Sequence, residues 1–146
     1  MVSFKIIAYC LLLITYYSLL TTHYSLITVY MEDWQIDFEW LRVRHYIKDT
    51  MQLDKIPDME VILLFIGIQE LGQLQEDYSK EEKQDLMHIA VCTLLSQEGF
   101  EYYELEGYDA DNYPHFKLAQ PLPYSDVKAQ ELLLKQAIVQ YFELPN

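Results

Sequence analysis

The sequence predicts an all-α fold, a small four-helix bundle with a long ordered loop or short hairpin between the third and fourth helices. Three observations carry that prediction. Apolar residues recur at helical spacing in four segments beyond residue 30. Ser79-Lys-Glu-Glu82 forms a capping box ahead of one of them. Residues 100–124 have no helical period, a length unusual for a connection in a compact domain and typical of functional loops.

Segment A runs from about Ile36 to Met51. Ile36, Trp40, Val43, Ile47 and Met51 fall on one helical stripe, and Trp34, Phe38, Leu41 and His45 on the opposite one. A helix with two apolar faces touches two things. The simpler expectation is that both faces pack inside the chain; the sharper one is that the Trp34/Phe38/Leu41 face meets a partner. Segment B is Pro57 to Leu71, with Pro57 and Asp58 in its first turn and Gly72 as its stop. Met59 to Ile68 is apolar nearly all round, which places this helix at the bundle centre. Gly67 inside it costs about 1 kcal/mol relative to Ala, and close approach of a neighbouring helix would offset that cost.

Segment C starts at the capping box and runs to Glu98, with Gly99 as its stop. Leu86, Ile89, Ala90, Thr93 and Leu94 form its core stripe, widened by Met87, Val91 and Leu95. Segment D follows Pro121 and Pro123, with Ser125 as N-cap. Val127, Glu131, Leu134, Ile138 and Tyr141/Phe142 lie along one side, and Leu133 and Ala137 broaden it. Between C and D, Phe100/Tyr102 and Phe116/Leu118 fit a short hairpin whose turn is Gly107–Asn112, since Gly, Asp and Asn tolerate turn geometry.

Two domains are expected, an N-terminal extension at 1–30 and an acidic helical domain at 31–146. Residues 1–30 contain no acid and one base, Lys5. Ile6–Tyr30 is long and uncharged enough to be a membrane anchor. Lys5 with Ile6–Leu13 also fits a secretory signal, although no small-x-small cleavage site follows. A third reading starts from Ile14-Thr-Tyr-Tyr-Ser-Leu-Leu20 and Thr21-Thr-His-Tyr-Ser-Leu-Ile27, a near-repeat in register. A tandem DNA repeat read through in frame gives such a pattern, and translation then starts at Met31.

The chain has 146 residues, 10 Lys+Arg against 23 Asp+Glu and a formal net charge of −13. This balance argues against direct binding of nucleic acid, which rests on Lys and Arg neutralising phosphates. Two cysteines exclude a disulfide framework, and 51% apolar residues exclude a disordered chain. No GxGxxG, P-loop, GxSxG or HExxH pattern is present. Cys92 has no CxxC partner and reads as a core thiol.

Chemistry concentrates in Glu98–Phe116. Glu98, Glu101, Glu104, Glu106, Asp109 and Asp111 stand there with no Lys or Arg, interleaved with Tyr102, Tyr103, Tyr108 and Tyr113, then His115. Three readings compete. Asp109-x-Asp111-Asn112 offers oxygens at cation-site spacing, but Tyr113, Pro114 and Gln120 break the EF-hand pattern, and an Asx-turn accounts for the same spacing. His115 beside Asp109 or Asp111 fits acid–base catalysis. Tyr among acids fits a protein contact, because Tyr is favoured at interfaces and the acids steer a basic partner. The plain alternative is that the rings cap the bundle and the acids are solvated.

The words Lys55-Ile-Pro-Asp-Met-Glu, Ile66-Gly-Ile-Gln-Glu-Leu-Gly72 and Glu106-Gly-Tyr-Asp-Ala-Asp-Asn-Tyr-Pro-His-Phe116 resemble a family of short acidic proteins of unknown function from Bacteroidota-type bacteria. The resemblance covers about Phe38 to Phe142 and leaves out residues 1–30. The family reads Gly-Trp where this chain has Asn112-Tyr113, and Asn keeps left-handed turn geometry accessible. The resemblance implies a cytoplasmic protein and supplies no catalytic residues, cofactor or metal.

The function expected from the sequence is therefore a non-enzymatic adaptor or regulatory domain that binds a protein partner, with no cofactor. Tyr102, Tyr103, Tyr108, Asp109, Asp111, Tyr113 and His115 form the expected contact surface. The alternatives are a metal-assisted or acid–base enzyme centred on Asp109, Asp111 and His115, and an acidic domain anchored in a membrane through residues 6–30.

Overall fold

Buried side chains recur at helical spacing along the helices of the computed structural model, which describes residues 2–145 and the side chains of 11–19 and 34–145. The elements are α1 (Val2–Thr50), α2 (Met59–Leu71), α3 (Lys80–Leu95), β1 (Tyr103–Tyr108), β2 (Pro114–Leu118) and α4 (Val127–Phe142). The chain divides into two compact units, Met1–Phe38 and Glu39–Asn146.

The first unit is a stretch of α1. Leu11, Leu12, Leu13, Ile14, Tyr16 and Leu19 are exposed, and the Thr15 hydroxyl bonds back to the Leu11 and Leu12 carbonyls. The Trp34 and Phe38 rings stack at 6.0 Å and both face solvent. The readings of residues 1–30 as extension, anchor or signal turn largely on side chains outside the described residues. Among the described residues no helix is long and apolar enough to cross a membrane.

The second unit holds the core. Trp40, Val43 and Ile47 come from the end of α1, and Ile62, Leu63 and Ile66 from α2. Ala90, Leu94 and Leu95 of α3 and Leu134, Ala137 and Ile138 of α4 complete the cluster. Each set recurs every three to four residues, so each helix turns one stripe inward. α2 starts where the Asp58 carboxylate accepts from the Val61 N–H at 3.0 Å and stops at left-handed Gly72 (φ 69°). Pro57 stands just ahead of the cap rather than inside the first turn, and its carbonyl accepts from Arg44 Nε at 2.7 Å. In α3 both halves of the capping box form: Ser79 Oγ accepts from the Glu82 N–H, and the Glu82 carboxylate accepts from the Ser79 N–H at 2.7 Å.

Gly67 is where α2 meets α3. A Cβ at this position would lie 2.1 Å from the Leu86 carbonyl oxygen, so only Gly permits this separation. Further along, the Gln97 amide donates to the carbonyls of Leu94 and Ala137, both at 2.9 Å, and ties the end of α3 to α4.

Several expectations need correction. The all-α class does not hold, because β1 and β2 pair as an antiparallel sheet, with Tyr103 opposite Leu118 and Leu105 opposite Phe116. Strand pairing starts after Tyr102, not at Phe100. Left-handed Glu101 (φ 53°) breaks the extended run, and the Tyr102 N–H is taken by the Leu95 carbonyl at 2.8 Å. α1 extends far upstream of Ile36. Its Trp34/Phe38/Leu41/His45 face is exposed, so it is not core. α3 ends at Leu95 with Ser96 as cap, and Gly99 (φ 90°) belongs to the turn that follows. The cap of α4 is Asp126, whose carboxylate accepts from the Ala129 N–H at 2.8 Å, and Val127 lies in solvent.

Candidate functional site

The candidate site is built on the β1–β2 hairpin, and one carboxylate shapes its tip. Asp109 Oδ1 accepts from the N–H groups of Asp111 and Tyr113, both at 2.9 Å. The Asp109 N–H donates to the Tyr113 carbonyl, and the Asn112 N–H donates to the Asp109 carbonyl, both at 3.1 Å. Asn112 then closes the turn in left-handed geometry (φ 62°), which Asn tolerates better than other residues with side chains. The Asp109–Tyr113 backbone bond thus encloses three residues, the last of them left-handed, a recurrent hairpin design. Before the tip, Glu106 is an extra residue in β1, with Leu105 opposite Phe116 and Gly107 opposite His115. Such a bulge bends the strand and raises its twist.

The second oxygen of Asp109 meets His115 Nε2 at 3.2 Å. The Tyr113 N–H, more than the His115 ring and the Asp111 N–H, holds the Asp109 carboxyl below the usual carboxylate range. Both members of this pair are exposed. The acid–base reading finds His115 and Asp109 adjacent, with one Asp109 oxygen on the ring and the other taken by the turn. Among the described residues no three His, Cys, Asp or Glu side chains gather as a metal site.

The expected contact residues divide into three places. Tyr108, Asp109, Asp111 and His115 are exposed at or beside the tip, with Tyr108 61% exposed. Tyr102 and Tyr103 are half-buried at the hairpin base, packed on the core cluster. Burial, with Cys92 and Tyr124 nearby, pushes the Tyr103 phenol up. Tyr113 is half-buried, with its ring 6.2 Å from the His115 ring, and lines a cleft beside α3. The base, Lys117, is held by Glu104 at 3.2 Å across the strands.

The cleft is a feature that the sequence reading misses. It encloses about 190 Å³ between the α2–α3 connection, the start of α3 and Tyr113. Tyr78 stiffens one wall: its hydroxyl accepts from the Gln75 N–H and donates to the Gln73 carbonyl, both at 2.9 Å. Asp85 also lines the cleft. Burial, then the Asp85 and Asp109 carboxylates, push the Tyr113 phenol up. The sequence signals available were Tyr78 directly before the capping box and Asp85 one turn beyond it, neither of which forms a motif alone.

Cys92 lies outside the site. It is buried, 3.6 Å from the His88 ring one turn back, and burial pushes its thiol up to about 11. A thiol so placed stays protonated and is a packing group. Compared with protein-family models, curated proteins and solved structures, the chain matches none.

Proposed function

We propose that this protein is a non-enzymatic interaction module, adaptor or regulatory in role, which meets a basic protein partner through the hairpin tip. The observation that carries this reading is the exposed Tyr108 beside Asp109, Asp111 and His115, on a hairpin whose lysine is already paired. An exposed aromatic supplies contact area at small entropic cost, and an excess of acids over bases raises the encounter rate with a basic surface. The Asp109 bonds support the same reading, because a turn fixed before binding loses less entropy on contact. Tyr102 and Tyr103 then serve as the base that fixes the hairpin. The bacterial family that the sequence resembles implies a cytoplasmic setting, which the proposal adopts.

The test is a photo-crosslinking residue placed in the full chain at Tyr108 and, separately, at Val127 on α4. The expected result is one discrete adduct from position 108, weakened by added salt and absent from position 127. No adduct at 108, or the same adducts from both positions, contradicts the proposal.

A further inference from the structure

The cleft beside α3 has the chemistry of a seat for one cationic side chain. Leu71 and Leu86 give its lining apolar surface. Two tyrosines, Tyr78 and Tyr113, join the lining from different parts of the chain. The Tyr78 hydroxyl is held by its two backbone hydrogen bonds, and the Tyr113 backbone is held by the Asp109 turn. Asp85 supplies negative charge, and among the described residues no Lys, Arg or His lines the cavity. The second carboxylate of the lining, Glu82, is committed to the Ser79 N–H. Acids Glu81 and Glu82 in the first turn of α3 offset the positive end of that helix, so its dipole does not repel a cation two turns in. Aromatic faces with one carboxylate favour a cation on an alkyl stem, since the rings attract the charge and the leucines take the methylenes.

We propose that this cleft binds a guanidinium or alkylammonium side chain projecting from the basic partner, with Tyr78 and Tyr113 as walls and Asp85 as the counter-charge. The inference rests on the interaction reading above and gives that contact its anchor. Tyr113 belongs both to the hairpin tip and to the cleft, so a segment crossing the tip can drop one side chain into the cavity. A volume of about 190 Å³ accommodates one such side chain and not a folded element.

The test uses the full chain, isotopically labelled, titrated with N-acetyl-arginine amide and, as control, with its neutral citrulline counterpart. Saturable amide shifts confined to Leu71, Gln73, Asp85 and Tyr113 are expected with the arginine compound and are absent with the citrulline one. Asp85→Asn is expected to weaken saturation about tenfold, as befits one lost charge-assisted bond. Tyr113→Leu is expected to reduce it while the melting temperature holds. Shifts spread over every acidic surface without saturation, equal shifts with citrulline, or no shifts at all overturn the proposal. The two readings fail separately. A Tyr108 adduct that persists undiminished in Asp85→Asn removes the cleft and keeps the hairpin contact. Arginine seated in the cleft with no adduct at position 108 does the reverse.

Discussion

At the residue scale, the position with the least tolerance is Gly67. Its contact with the Leu86 carbonyl sets how closely α2 and α3 approach, and backbone cannot swing aside as a flexible side chain can. Gly67→Ala is therefore expected to destabilise the protein by about 3 kcal/mol, the scale of an overpacked core. Gly72 supplies the internal control. It has left-handed backbone, but a Cβ there would meet open space. Gly72→Ala is expected to cost about 1 kcal/mol, from backbone strain alone. Urea midpoints of the two variants check the contrast. Equal losses would mean that helix separation is not set at Gly67.

At the element scale, two carboxylates organise local structure, Glu82 at the head of α3 and Asp109 in the hairpin turn. Both titrate below the usual range: Glu82 because the Ser79 N–H and then its hydroxyl bond to it, Asp109 because Tyr113, His115 and Asp111 do. A carboxyl whose pKa is lower when folded than unfolded stabilises the fold fully above the unfolded value and loses that contribution as pH falls through the folded one. The melting temperature is therefore expected to drop as pH falls below about 4, with Glu82→Gln and Asp109→Asn each flattening that acid limb. An acid limb unchanged in both variants would contradict the assignment.

The elements also show what the sequence could and could not reveal. The stripe of α3 was legible because burial imposes a 3.6-residue period, and the capping box because its two hydrogen bonds need fixed spacing. The Asx-turn at Asp109 was legible for the same reason. By contrast α2, expected to be enclosed nearly all round, buries only Ile62, Leu63, Ile66 and Gly67 and leaves Val61 exposed. Strand register was not, since it depends on Glu101 turning left-handed and on Tyr102 bonding back to α3, which are tertiary events. Val127 illustrates the converse error: it continues the apolar period of α4, yet the chain enters that helix at Asp126 and leaves Val127 in water. The cleft was invisible because Tyr78, Asp85 and Tyr113 meet only after α3 and the hairpin pack together.

At the scale of the whole molecule, the helical core in Glu39–Asn146 holds an acidic hairpin in place. The ties are specific: Tyr102 bonds to the end of α3, the Gln120 amide donates to the Phe100 and Glu101 carbonyls at 3.0 Å, and Tyr103 packs on the cluster. Hydrogen exchange of the full chain, free of any partner, tests this most directly. Amides of Ile62–Ile68, Ile89–Leu95 and Leu134–Ile138 are expected to exchange slowest. The paired amides of 103–118 are expected to be protected in the parent chain and to lose that protection in Asp109→Ala, with the helices unchanged. Hairpin amides that exchange at unfolded-chain rates in the parent protein would contradict the claim that this hairpin is a fixed platform.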